Sequence, residues 1–319
     1  MKSKVHKKDQ KTNPSLDKLA QPIPFGSENN PENTLKSLSK RAKAKYFTNS
    51  FVIPLALLKT DLQKSYNNTI YGCSNILQQT GQKLTGKYCG NRWCVVCNRI
   101  KIAKLINAYK PALEKLKDKR FVTLTIKNVK GENLRSAIQE MTKTFILIKK
   151  QFQKKKIRFV GIRKMECTYN TRENEYHPHF HLIIEGIQPA TLLVNKWLER
   201  YPVSDKRAQY NEETDEGSLM ELFKYFSKII TDGVVYIEAL DLIFTSMYGL
   251  RVYQSFGIPK VNEVSEEIEE LQAQTIEDLK EAEKTWHWID NDWIDKTTGE
   301  MLTGYEPDDT MKRIIKNIK

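Results

Sequence analysis

Three histidines at alternate positions, His177, His179 and His181, run directly into Leu182-Ile183-Ile184, and no other feature constrains the fold of this chain as much. Residues two apart in a strand share a face, so a strand here turns all three imidazoles to one side. Only five histidines occur in the 319 residues, so most of the protein's imidazole is committed to this face. Neutral imidazole is the commonest protein ligand for a divalent metal. The face is therefore expected to hold a cation, a cluster of exposed histidines without a ligand being the plainer alternative.

The neighbouring periodicities supply a fold around that strand. Phe121 to Lys127 sets Val122, Leu124 and Ile126 against Thr123, Thr125 and Lys127, which predicts a strand. Asn133 to Lys150 carries apolar residues at helical spacing, and strands are predicted over Phe159–Tyr169 and Tyr176–Glu185 around a short polar loop. Strand, helix, hairpin and helix in that order predict an α+β domain. Its central antiparallel sheet would carry the histidine strand and be packed by helices. If Tyr169 pairs with Tyr176, the same register sets Glu166 opposite His179, and directly opposed residues share a face. A slip of one residue would send Glu166 to the other side. A carboxylate with two imidazoles suits Mg²⁺ or Mn²⁺ better than a closed zinc site. The candidate metal ligands are thus Glu166, His179 and His181, with His177 as a fourth on the same face.

Cys73, Cys89, Cys94 and Cys97 fall within one short region, the last three as Cys-x4-Cys-x2-Cys. Four thiolates so spaced fit a tetrahedral structural Zn²⁺, which would tie down an N-terminal segment; buried free thiols are the alternative. Cys167 reads as a core residue. Arg92, Arg99, Lys101 and Lys104 make this region basic and are candidates for phosphate contact, as are Arg163 and Lys164 farther on. A solvated charged face would read the same way.

Ser218 to Ile230 has the apolar stripe of an amphipathic helix. Glu221 and Tyr225, four apart, are neighbours on its surface, with Lys224 and Lys228 close by. A tyrosine to attack phosphorus, lysines to stabilise an oxyanion and a carboxylate to activate water make a phosphoryl-transfer set. Ser218 and Glu221 also form a capping box, which alone would account for the glutamate.

Charge narrows the partners. Lys and Arg exceed Asp and Glu by 13, yet Glu263–Asp295 holds twelve acidic and two basic residues. The rest of the chain is correspondingly more basic, as suits a polyanion. The longest apolar run, Phe51–Leu58, is far too short to span a membrane, and residues 1–10 lack an apolar export segment. A cytoplasmic protein with reduced cysteines is expected.

Four of these segments resemble one family. Phe121-Val-Thr-Leu-Thr-Ile-Lys-Asn-Val, then Arg163 to Tyr169 with His177-Pro-His-Phe-His181, then Glu221-Leu-Phe-Lys-Tyr-Phe-Ser-Lys228, and the cysteine segment before them resemble the rolling-circle replication initiators of small Gram-positive plasmids, within the HUH endonuclease superfamily. The likeness runs from about Cys73 to Lys260. It implies a bacterial Rep protein whose His179 and His181 hold the metal. Tyr225 would attack at the plasmid's double-strand origin, leaving a 5′-phosphotyrosyl link and a 3′-OH primer, and Glu221 would activate water at termination. Origin DNA, a host helicase and a DNA polymerase are the implied partners. The division expected is a disordered basic arm (1–45), a helical segment with the four-cysteine module (46–118), the HUH endonuclease domain (119–260), and an acidic helix with a C-terminal tail (261–319). The family supplies neither the acidic segment nor the Trp-containing tail. The competing readings are a relaxase or transposase of the same superfamily, and a DNA-binding regulator with a zinc module and no nuclease activity. Relaxases usually carry their tyrosine before the histidines, and single-strand transposases are usually much shorter.

Overall fold

The computed structural model describes residues 31–81, 83–214, 222–223, 227–258 and 282–319. Helix α1 (Pro31–Leu57) buries Phe47, Phe51, Val52 and Leu55 along one stripe. Residues 31–45, expected within a disordered arm, are therefore helical, and Ala42 and Ala44 are fully buried. Small apolar residues among many lysines hide this stripe at the level of sequence. Residues 1–30 lie outside the described residues. After a turn with Lys59 at φ 54°, α2 (Gln63–Gly72) packs Tyr66, Thr69 and Ile70 inward.

A hairpin of β1 (Ile76–Thr80) and β2 (Lys83–Gly86) precedes α3 (Val95–Glu114). Pro111 sits in the last turn of this helix and does not divide it. The main sheet then forms from β3 (Lys119–Thr125), β4 (Gly161–Asn170), β5 (Glu175–Glu185), β6 (Tyr210–Glu213) and β7 (Tyr253–Phe256). Its order is β6-β3-β5-β4-β7, antiparallel throughout. Helices α4 (Leu134–Lys154), α5 (Ile187–Arg200) and α6 (Ile237–Met247) complete the domain. The expected α+β architecture, with an antiparallel sheet packed by helices, is the one observed.

The two faces of this sheet differ sharply. One is a hydrophobic core in which Phe180 meets Phe145 of α4 and Trp197 of α5, at ring separations of 5.8 and 5.7 Å. The other carries His177, His179 and His181 at one end, while Ile162 and Ile183 at its far end pack with Ile102 and Leu105 of α3. A slip of β5 by one residue would expose Phe180 and Leu182, at about 1.5–3 kcal/mol per side chain. Core packing thus fixes the face on which the histidines lie.

The chain's end is ordered where the sequence predicts only a tail. Strands β8 (Lys284–Ile289) and β9 (Asp292–Asp295) extend the first hairpin into a second sheet, β2-β1-β8-β9. Trp286 pairs with Leu77 of β1, and Trp286, Trp293 and Tyr305 form a small core with Ala42. Helix α7 (Asp309–Lys316) closes against α1, with Asp308 capping it through Met311 N–H. Most of the expected acidic helix (263–284) lies outside the described residues, and Lys284 opens a strand. The helix expected over 218–230 does not continue through its last residues. Ser227 forms a bridge with Cys167, and a turn bridged between Thr231 and Val234 follows. Among the described residues no helix is long and apolar enough to cross a membrane.

Candidate metal centres

Strand pairing brings the candidate ligands together. Glu166 is paired with His179, and Lys164 with His181, in the register expected from Tyr169 opposite Tyr176. Glu166 Oε1 lies 3.9 Å from His179 Nε2, and its Oε2 lies 3.7 Å from His181 Nε2. The two Nε2 atoms are 3.2 Å apart. His179 Nδ1 is 3.0 Å from the His177 carbonyl oxygen, which can only accept, so Nδ1 carries the ring proton. Its Nε2 therefore presents a lone pair. His181 Nδ1 contacts Thr123 Oγ1 at 3.1 Å, and the ring stacks on Phe121 at 5.3 Å.

These residues fit a divalent ion. Two nitrogens each about 2.1 Å from one ion at near-right angles stand about 3 Å apart. The three ligand atoms lie within 4.8 Å of one another. His177, expected as a fourth ligand, falls outside this set. It shares the face, but its Nδ1 is held 2.8 Å from Asn128 Oδ1.

Lys164 is the partner that sequence reasoning missed. Expected as a DNA contact, it has a side chain 0 % exposed whose Nζ donates to Glu166 Oε2 at 2.7 Å. Burial alone would raise the Glu166 pKa. Lys164, then His179 and His181, outweigh it and hold the carboxyl down at about 2. Burial lowers His177 and His179 to about 4. Glu166 is thus an ionised carboxylate and His179 a neutral imidazole at neutral pH, the protonation states that ligation needs.

The four cysteines converge as a second group. Cys73 Sγ lies 3.6 Å from Cys94 and 3.4 Å from Cys97, and Cys89 lies 3.6 Å from Cys97. A tetrahedral ion with bonds of about 2.3 Å would hold its sulfurs about 3.8 Å apart. All four are buried, and hydrogen bonds from the other three hold the Cys89 thiol below its ordinary range while burial pushes Cys94 up. Four buried sulfurs converging at this spacing are the donor set of a tetrahedral structural site, so they fit zinc. Lys45, absent from the sequence reading, supplies nearby positive charge. It is buried and donates to the Cys73 carbonyl at 2.6 Å and to Asn75 Oδ1 at 2.5 Å.

The remaining candidates separate. Arg92 donates to the Met247 and Leu250 carbonyls at 3.0 and 2.9 Å, tying the cysteine loop to the end of α6. Arg99 donates to the Lys40 carbonyl at 3.2 Å. Lys101 and Lys104 are half-buried on α3. Arg163, expected as a DNA contact, lies on the opposite sheet face from the histidines. It is 1 % exposed, with its guanidinium carbon 4.2 Å from the Phe180 ring centroid and 4.9 Å from that of Phe145. That placement removes it from any phosphate. Cys167 is a core residue, as expected. Glu221, Lys224 and Tyr225 lie outside the described residues, and Lys228 is exposed.

The residues on either side of Tyr225 are anchored. Phe223 stacks on Tyr253 of β7 at 5.7 Å, and Ser227 bridges Cys167, the residue after Glu166.

Comparison with known proteins places similarity on the stretch that carries Glu166, His179 and His181. Residues 81–186 match the family model described as "Replication protein". The chain is 34 % identical over 130 residues to "Protein rep" of a Bacillus species, covering 36 % of this chain and 41 % of that one. It is 30 % identical over 143 residues to "Protein rep" of Staphylococcus aureus, covering 40 % and 61 %. It is also 36 % identical over 105 residues to "Protein rep" of Bacillus amyloliquefaciens, covering 30 % of each. The matches span less than two thirds of the length of these curated relatives. No solved structure matches the chain. The matched stretch holds Cys89, Cys94, Cys97, Glu166, His179 and His181, and over residues 81–186 this chain is similar to the family described as replication proteins.

Proposed function

We propose that this chain is a plasmid rolling-circle replication initiator, a metal-dependent, sequence-specific endonuclease and strand transferase that nicks one DNA strand at the origin. The observation that carries the reading is the convergence of Glu166, His179 and His181 on one sheet face within a stretch similar to replication proteins. A divalent ion held there, Mg²⁺ or Mn²⁺, supplies charge neutralisation at the scissile phosphate. Thr123 and the His177 carbonyl orient the two imidazoles, and Lys164 keeps Glu166 ionised.

Tyr225 is the nucleophile. Its phenolic oxygen bonds to phosphorus, the bond from phosphorus to the 3′ oxygen breaks, and that oxygen takes up a proton as a free 3′-OH. The 5′ phosphate stays on the tyrosine. The anchoring of Phe223 on Tyr253 and of Ser227 on Cys167, both at the β7 edge of Glu166's strand, supports this role. Lys224 and Lys228 stabilise charge on the phosphoryl oxygens. At termination Glu221 activates water for the second cleavage. The cysteine cluster holds a structural zinc, and Lys101 and Lys104 contact phosphate. The partners are origin DNA and a host helicase and polymerase, in the bacterial cytoplasm.

The test is nicking of a supercoiled plasmid carrying the cognate origin in Mn²⁺, wild type against Tyr225→Phe. The wild type should leave a protein-linked 5′ end that EDTA abolishes and that the phenylalanine variant does not form. Equal nicking by both proteins would remove Tyr225 from the chemistry.

A further inference from the structure

Helix α2 has a face that the site described above does not use. Its inner side is pinned on every turn. Tyr66 O–H donates to Asp241 Oδ1 at 2.7 Å, and its ring meets Trp93 edge-on at 5.1 Å. Thr69 Oγ1 accepts from Trp93 Nε1 at 3.1 Å and from Asn91 Nδ2 at 2.9 Å. Cys73, the first residue past the helix, joins the cysteine cluster. The metal module therefore fastens one face of α2 and fixes its orientation.

The opposite face is made of Lys64, Asn68 and Tyr71, spaced four and three apart and all exposed, with Asn67 half-exposed beside them. Tyr71 is 73 % exposed, unusual for an aromatic residue on a rigid helix. Among the described residues these four side chains make no hydrogen bond or ion pair. No acidic residue occurs between Gln63 and Gly72, so nothing on the helix repels a polyanion. The helix follows α1 through five residues, 58–62. B-DNA's major groove admits an α-helix, so an exposed polar helix face is of a size to enter it. The side-chain chemistry matches. Asparagine bonds bidentately to adenine N6 and N7, lysine reaches guanine O6 and N7, and a tyrosine hydroxyl can meet a phosphate.

We infer that α2 reads duplex DNA, with Lys64, Asn67 and Asn68 facing base edges in the major groove and Tyr71 at the backbone, apart from the face that cuts. The inference rests on the reading of a DNA-nicking protein and deepens it, since it assigns duplex recognition to a helix held by the zinc module.

The test starts from selection of a random-sequence duplex library with the full-length, zinc-loaded protein. The enriched duplex is then titrated with wild type, Lys64→Ala and Asn68→Ala. Each variant should bind it about 10- to 100-fold more weakly and with relaxed preference. Zinc content, melting temperature and Mn²⁺-dependent cleavage of single-stranded origin DNA should stay at wild-type values. No enriched sequence, or unchanged affinity in both variants, would overturn the inference and leave α2 with a solvated polar face. Sequence-selective duplex binding that depends on Asn68 in a protein without cleavage would sustain the inference and remove the nuclease reading instead.

Discussion

Glu166 stands directly opposite His179 across the β4–β5 ladder, its Oε1 3.9 Å from the imidazole Nε2. The pairing follows from a hairpin loop that lets Tyr169 meet Tyr176 and from a core that demands Phe180 on the far face. It turns a sequence neighbour of Cys167 into part of a three-ligand set. Manganese titration should reflect this. His181→Ala and Glu166→Ala should each weaken Mn²⁺ binding by about 100-fold or more, while His177→Ala should stay within about threefold of wild type. A loss in His177→Ala as large as in His181→Ala would mean that His177 is a ligand and not an orienting residue.

This half of the site was legible because it is local. Alternation, a short polar loop and one aromatic pair fix the β4–β5 register with no information from elsewhere in the chain. The other half is not local. Thr123 reaches His181 only because β3, some forty residues upstream of β4, pairs with the far edge of β5. The C-terminal hairpin was illegible for the same reason, since Trp286 meets Leu77 from more than two hundred residues away. Arg163 and Lys164 show a subtler limit. Adjacent strand residues must face opposite sides, but the sequence does not say which side is the core, and both basic residues proved to be buried. The 218–230 stripe is that of a helix, yet Ser227 is drawn into a bridge with β4, where tertiary pairing overrides local periodicity.

The Lys164–Glu166 pair should behave as a buried unit. Lys164 is 0 % exposed, so Glu166→Gln leaves an ammonium with its carboxylate partner removed, a change that costs about 3 kcal/mol. Adding Lys164→Met should recover most of that loss. Urea denaturation of the two single variants and the double variant in EDTA measures the coupling. An interaction energy near zero would show that the two residues contribute independently.

Acid should weaken the metal-free protein in two stages. Burial holds His177 and His179 at about 4, below their ordinary 6.5, so between these values the unfolded chain binds protons that the folded chain does not. Stability therefore falls as pH drops from about 6.5 to 4. Glu166, held at about 2 against an ordinary 4.5, contributes stability present above 4.5 and lost as pH falls toward 2. Chemical denaturation in EDTA between pH 7 and 3 should show a continuous decline, less steep between 6.5 and 4 in His177→Gln. A flat profile from 6.5 to 5 would contradict the neutral, buried state of these imidazoles.

The cysteine cluster joins the end of α2, the start of α3 and the loop between them, so metal loss should be felt as loss of structure. Purified protein is expected to carry one zinc per chain by elemental analysis. Cys94→Ser, or a strong chelator, should lower the melting temperature by about 5–10 °C. Zinc-free protein with an unchanged melting temperature would point to four buried thiols in place of a metal centre.

Arg163 sets a contest between two magnitudes. Its guanidinium lies over Phe145 and Phe180, an attraction worth about 0.5–2 kcal/mol. Burial lowers its pKa to about 10, and Nε and Nη1 have no hydrogen-bond partner, so the desolvation of several kcal/mol is only partly offset. Arg163→Met keeps the volume and removes the charge. It should leave the melting temperature unchanged or a few degrees higher, whereas Arg163→Ala should cost about 2–4 kcal/mol through the cavity it opens. The slope of DNA affinity against salt discriminates further. A phosphate-contacting arginine would lower that slope by about one when replaced, and a buried one leaves it alone. An unchanged slope in Arg163→Met, with stability kept, is the result that a core position on the sheet's far face requires.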